Sequence, residues 1–387
     1  MAPRTCRAAP GSDAGLRSGL YDMLSRTCAN QSNYLVTGAT GFIGRHLVDA
    51  LLAKWGAGAV VAMTHTGRRK DEQHIAERWR SAGITLIECD LLDLPQGGSF
   101  PPAFDVIYHL AAHTETKSPT ACFRVNSEGT RNLLRWLGPA LRGKRLIYAS
   151  TLACVDNPRF RGAIDEETIC RPRTAYGRTK LAGEHSIRSL QAEFGFDYTI
   201  LRLCTIVGAG YRPTGMFGVF PQMLARNALG TRLNWPGRVS LMGVSDLVRI
   251  LMTVPDCPQT RNELYVMGNG ENPSVDRVLG EMATVLGCPR DKIRIPLWFW
   301  GVAGALCSRI TGVPILPPRA RTFFWRLSHM ILDGVCADSS KLDAVLRPRY
   351  QPFRECLEAI YGRTPSVESA AADGLSTHPV ITRRTAL

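Results

Sequence analysis

The chain predicts an α/β fold, a doubly wound parallel sheet with a smaller C-terminal region, and three observations carry that prediction. Short apolar runs alternate with longer amphipathic stretches from Asn33 to about Gly208. A glycine-spaced turn, Thr37-Gly-Ala-Thr-Gly-Phe-Ile-Gly44, follows the first apolar run and opens the first amphipathic one. Tyr176 stands four residues before Lys180, a spacing that puts both on one face of a helix.

The elements follow in order. Tyr34–Val36 and Ala59–Met63 are apolar runs of strand length, and Ile43–Lys54 between them has a helical pattern. Ile84–Ile87, Val106–Tyr108, Arg145–Ala149 and Tyr198–Leu203 continue the series. Continuous apolar runs of this kind are buried on both faces, which is the mark of a parallel sheet covered by helices. Right-handed crossovers then gather the strand C-termini, and a ligand crevice, on one edge. Beyond Gly208 the alternation weakens: Tyr211–Leu233 and Asn272–Leu286 read as helices and loops, and Asn262–Met267 as a further strand. The expected division is a leader over 1–32 without stable structure, a nucleotide-binding core over 33–208, a mixed substrate-binding region with returning core elements over 209–362, and a polar tail over 363–387 like the leader.

Composition narrows the class. The 387 residues suffice for a large core, and the net charge of +14 comes from arginines scattered along the chain, which argues against a nucleic-acid partner. The 12 cysteines include no Cys-x-x-Cys pair, so neither a zinc site nor a disulfide framework is expected, and a reducing, cytoplasmic compartment is. Ile295–Cys307 is strongly apolar yet too short to span a bilayer. We expect a substrate-region helix that packs or lines a pocket, with interfacial membrane contact flanked by Arg309, Arg319, Arg321 and Arg326 as the minor alternative.

The glycines of the turn each have a task. Gly38 permits the tight turn, Gly41 lets the backbone approach a pyrophosphate, and Gly44 lets helix and strand close up, which defines a Rossmann-type dinucleotide site. The helix N-terminus, formed by Thr40, Gly41, Phe42 and Ile43, is expected to offer N–H groups and a positive dipole end to the phosphates. Strand two ends at Thr64, His65 and then Arg68 and Arg69, with no carboxylate before Asp71. Residues of that kind accept a 2′-phosphate, so NADP is expected in preference to NAD, NAD remaining the alternative. Only 7 of the 47 basic residues are lysines, so Lys180 departs from the chain's habit. Its charge favours ionisation of Tyr176, which then serves as acid and base while hydride moves between nicotinamide C4 and a carbonyl or alcohol carbon.

On these motifs the chain resembles the extended short-chain dehydrogenases/reductases, also called the NAD-dependent epimerase/dehydratase family, over roughly residues 33–362. The resemblance implies further roles. Asp90, in Cys89-Asp90-Leu91, would contact adenine with Leu91 beside it; Leu110, Ala111 and Ala112 after His109 would pass under the cofactor; Leu203 and Thr205 would border it. Asn126 would be the active-site asparagine that organises water or backbone, and Thr151, 25 residues before Tyr176, the hydroxyl that orients the reacting oxygen. Relatives commonly pair as homodimers through the helices flanking the catalytic strand.

For the substrate, three departures point away from the nucleotide-sugar branch as that resemblance describes it. Thr205 stands where an Asn is expected, and Val239 near an expected diphosphate-gripping Arg, with Arg238 one residue away. Thr151 is followed by Leu152-Ala153 and not by the Asp-Glu pair of dehydratases. The expectation is therefore an NADP-linked oxidoreductase of an apolar or mixed alcohol or ketone. A nucleotide-sugar epimerase using the same Tyr and Lys is the alternative, and a non-catalytic NADP-binding regulator the second.

Overall fold

The computed structural model describes residues 32–361 apart from 66–68, 95–102, 115–117, 156–161, 212–214, 312–314, 316 and 332–335. The leader, the tail and Arg68 lie outside the described residues. Two compact units share the chain: one takes the sequence up to Cys154, Pro172–Arg202 and Ile250–Tyr265, the other Val155–Arg171, Leu203–Arg249 and Val266 onward.

The first unit is built on the expected sheet. Strands β1 (Tyr34–Thr37), β2 (Val60–Thr64), β3 (Thr85–Glu88), β4 (Val106–His109) and β5 (Arg145–Thr151) pair in parallel. With β7 (Asp197–Leu203) and β10 (Glu263–Met267) they give seven strands in the order β10-β7-β5-β4-β1-β2-β3. The order reverses between β1 and β4, so the C-terminal ends of these two strands form the switch point at which such sheets bind ligands.

Helix α1 (Phe42–Trp55) buries Gly44, Leu47, Val48 and Leu51, one face at helical spacing. Helix α2 (Lys70–Ser81) buries Ala76 and Trp79, whose indole N–H donates to Asp49 Oδ1 at 2.7 Å. A short helix α3 (Pro119–Phe123) runs through a π-helical turn at Arg124–Glu128 into α4 (Gly129–Leu137). Helix α5 (Ala175–Phe194) starts at Thr174, whose hydroxyl accepts the Gly177 N–H at 3.0 Å, and ends at Gly195 in the left-handed region. Leu35, Val61, Ile107, Leu133, Leu146, Ile187 and Ile200 form the core between sheet and helices.

The second unit holds the short strand pairs β6 (Ala163–Ile164) with β11 (Cys336–Ala337), and β8 (Thr205–Val207) with β9 (Leu241–Gly243). Its helices are α6 (Gly215–Ala225), α7 (Leu229–Arg232), α8 (Val244–Thr253), α9 (Val275–Val285), α10 (Leu297–Thr311), α11 (Pro318–Ile331), α12 (Ser340–Leu346) and α13 (Phe353–Tyr361), though the end of α8 belongs to the first unit. Val207, Phe217, Trp235, Leu241, Val278, Met282, Phe353 and Leu357 make a separate core. The expectation for Ile295–Cys307 holds on one side of α10 only: Trp300 and Cys307 are buried, while Leu297, Trp298, Val302 and Leu306 are exposed. The reason is that this helix is apolar on every face, and a surface helix can bury only one.

Candidate active site

The nucleotide turn is tight enough to exclude side chains. Gly38 has φ +64°, and a Cβ there would lie 2.7 Å from the Ala111 backbone; one on Gly44 would lie 2.3 Å from the Gly38 carbonyl oxygen. The Gly41 N–H donates to that oxygen at 2.9 Å, closing the turn onto the start of α1, with Thr40 buried inside it and Phe42 and Ile43 opening the helix. Such a cradle, at a helix N-terminus beside the switch point, fits a pyrophosphate.

Behind it lies a buried hydrogen-bonded relay that the sequence reading did not single out. Thr37 Oγ1 meets His109 Nδ1 at 2.7 Å, His109 Nε2 meets Thr130 Oγ1 at 2.9 Å, and the Thr130 hydroxyl donates to the Asn126 carbonyl at 2.7 Å. Burial, and secondarily Lys180, push the His109 pKa down to about 3, so its imidazole is neutral. Thr37 Oγ1 also accepts the Ala111 N–H at 3.3 Å, which ties Leu110, Ala111 and Ala112 to the glycine turn.

Asn126 is fully engaged with protein. Its Oδ1 accepts the His113 N–H at 2.7 Å, while Nδ2 donates to the His113 carbonyl at 3.0 Å and to Thr179 Oγ1 at 3.1 Å. It therefore staples the loop after β4 to α5. The π-helical turn carries it to that place.

Thr151 ends β5 and Tyr176 lies in the first turn of α5. Thr151 favours the phenolate of Tyr176; burial outweighs this, and together with Cys154 and Cys122 raises the Tyr176 pKa, against the lowering expected from Lys180. Lys180 is buried one turn on, its ammonium 4.1 Å from the centre of the Tyr148 ring. Burial pulls its pKa down to about 8, against the opposing pull of Cys154 and Glu184.

The helix approaches β5 this closely because Gly177 and Gly183 have no side chains: a Cβ would sit 2.1 Å from the Ala153 oxygen and 2.3 Å from the Tyr148 hydroxyl. One further turn along, Glu184 is fully buried. It accepts the Ser150 hydroxyl at 2.5 Å and a two-pronged contact from Arg202 at 3.0 and 2.8 Å. Its spacing of four from Lys180 was a readable signal that it belongs to the same face.

Around the end of β2, where the adenosine is expected, Thr64 is buried, and the exposed His65 places Nε2 3.7 Å from Asp90 Oδ2. Asp90 caps its own turn by accepting the Leu92 N–H at 2.9 Å, and Leu91 packs under Gly129. Leu203 and Thr205 belong to the other unit, Leu203 buried and Thr205 exposed. There too Val239 is a core residue, and Arg238 donates from Nε to the Asn272 carbonyl at 2.9 Å.

A glycine cradle at the switch point and a Thr-Tyr-Lys cluster on one helix and one strand end define a nucleotide-dependent hydride-transfer enzyme of the Rossmann class. The model of the NAD dependent epimerase/dehydratase family matches residues 34–268, and the chain belongs to that family. It is an NAD(P)-dependent enzyme with a small-molecule substrate. The UDP-glucose 4-epimerase of Vibrio cholerae is 24% identical over 288 residues, 71% of this chain and 82% of its own. Sterol demethylase protein B of Methylococcus capsulatus is 29% identical over 321 residues, 79% and 90% of the two chains. The fold is that of the UDP-glucuronic acid 4-epimerase from Bacillus cereus solved in complex with NAD: TM-score 0.64 and 22% identity, over 85% of this chain and 97% of that one.

These findings correct the expected substrate. The reading as an oxidoreductase of apolar alcohols is overturned by the match to the epimerase/dehydratase family and by the UDP-glucose and UDP-glucuronate epimerases among the structures of like fold. The absence of Asn at Thr205 and of Arg at Val239 misled because a single side chain in a substrate region does not decide a substrate class.

Proposed function

We propose that the protein is a nucleotide-sugar epimerase that oxidises a sugar hydroxyl and reduces it again on the opposite face. The observation that carries this reading is the Thr151–Tyr176–Lys180 cluster in a chain whose family model is that of epimerases and dehydratases. Leu152 and Ala153 follow Thr151 and offer no carboxylate for eliminating water, which favours epimerisation over dehydration.

Gly38, Gly41 and Gly44 with the α1 N-terminus would hold the dinucleotide pyrophosphate, and Lys180 the nicotinamide ribose. When bound, the nicotinamide supplies a reversible hydride acceptor. Tyr176 takes the proton of the sugar hydroxyl and returns it, Thr151 fixes the direction of the phenol, and the Lys180 charge steadies the phenolate. We assign substrate recognition to the second unit, where Arg238 supplies a cation for the diphosphate.

We propose NAD in place of the expected NADP. Asp90 lies 3.7 Å from His65 after β2, and Asp71 stands 3.6 Å from Arg45 on α1, so carboxylates near the end of β2 disfavour a 2′-phosphate. The homodimer expected through the helices beside β5 is part of the proposal, supported by the half-exposed Phe123 on α3. So is a reducing, cytoplasmic compartment: the ten cysteines among the described residues are free thiols.

The test supplies NAD with UDP-glucose, UDP-galactose and UDP-glucuronate. Interconversion of C4 epimers without net change in nicotinamide absorbance is expected, and Tyr176→Phe should lower kcat by about a thousandfold with NAD binding kept. Stoichiometric consumption of reduced nicotinamide with a carbonyl substrate, and no interconversion, would sink the reading.

A further inference from the structure

We propose that the exposed face of α10 seats this protein on an anionic membrane surface. Leu297, Trp298, Val302 and Leu306 are 74%, 71%, 63% and 57% exposed. With Gly301 and Ala305, also exposed, they recur at intervals that fall on one side of a helix. The opposite side anchors the helix: Trp300 packs against Trp235 with ring centres 4.7 Å apart and donates to Asn234 Oδ1 at 3.4 Å, and Cys307 is buried. Helix α11 packs beside it and leaves Phe323 60% exposed, and Ile315 in the connection is 91% exposed. The outward stripe is thus a built surface on a fixed helix.

Charge selects the occupant. Residues 292–332 contain six Lys or Arg and no Asp or Glu. Lys292 pairs with Asp276, while Arg294 and Arg309 are exposed at the two ends of the apolar stripe. An indole and aliphatic side chains between cations match the boundary of a bilayer with anionic headgroups. A second copy of this chain fits worse. A two-fold contact would set this acid-free stretch against itself, bringing like charges together as the apolar faces close. The helix has 15 residues, about 22 Å at 1.5 Å per residue, and lies on the surface without crossing it; among the described residues no helix is long and apolar enough to cross a membrane.

The experiment is co-sedimentation of the full chain with phosphatidylcholine vesicles and with vesicles containing about one-third phosphatidylglycerol, alongside sedimentation velocity without lipid. We expect at least about tenfold stronger partitioning onto the anionic vesicles, weakened by salt. The double variant Trp298→Glu/Val302→Glu should lose it by at least about tenfold with its thermal midpoint unchanged. The milder Trp298→Ser/Leu306→Ser should lose part of it, and Val219→Glu, at an exposed apolar position on α6, should retain it. No binding, equal binding to both vesicle types, or binding indifferent to the α10 variants would overturn the proposal. So would an oligomer that Trp298→Glu/Val302→Glu converts to monomer without any vesicle binding, since the face would then join copies. Epimerisation is not the readout, so this result stands apart from the catalytic reading.

Discussion

Replacing Lys180 by Met should stabilise the nucleotide-free protein while abolishing turnover. The ammonium is buried, and burial lowers its pKa from 10.5 to about 8. A shift of that size corresponds to about 3 kcal/mol of unfavourable free energy for the charged folded form. Met keeps most of the stem volume but loses the contact with the Tyr148 ring, worth about 1–2 kcal/mol when desolvated. The net gain at neutral pH is therefore about 1–2 kcal/mol.

The pH dependence gives the sign independently. Below pH 8 both folded and unfolded Lys180 carry the proton and the penalty is fully present. Between about 8 and 10.5 the folded state releases a proton that the unfolded chain keeps, so wild-type stability rises with pH relative to the variant. Urea unfolding of both proteins between neutral pH and the ordinary lysine pKa should show the stability difference moving by about 3 kcal/mol in favour of wild type, so that the variant's advantage at neutral pH is reversed near the top of that range. A variant less stable than wild type at neutral pH, or an offset that does not move with pH, would refute the account of Lys180 as a charge held at a cost for catalysis.

Two further predictions concern the frame around the site. Glu184→Ala should cost about 3–5 kcal/mol in urea unfolding, because it strands Arg202 in the core, whereas Arg188→Ala, removing the partly exposed contact at 3.6 Å, should cost under about 1 kcal/mol. Gly44→Ala places a Cβ 2.3 Å from the Gly38 oxygen, an overpacking of about 1–3 kcal/mol; NADH fluorescence titration should show roughly ten- to hundredfold weaker binding, and unaltered binding would remove the turn from the cofactor site.

What the sequence disclosed follows the range of the forces involved. The β1 turn, Tyr176 and Lys180 were legible because a turn and a helix fix their own spacing, and strand boundaries moved by one or two residues, as when Ala59 falls in the 3-10 turn before β2 and β5 runs on to Thr151. The relay Thr37–His109–Thr130–Asn126 was not legible, since it joins residues 72 and 21 positions apart through side chains that carry no periodic signal. Asp90 was named for adenine, but its approach to His65 at the end of β2 was not legible, for the same reason. Asp90 lies beyond β3, outside the window after β2 in which an acid is usually sought, so that window alone points to NADP while the folded chain brings a carboxylate to its edge. The α10 stripe shows the converse. Its composition was plain, but hydrophobicity alone cannot say which side of a helix a fold will cover, and only the burial of Trp300 and Cys307 turns an apolar run into an outward face with a definite partner chemistry.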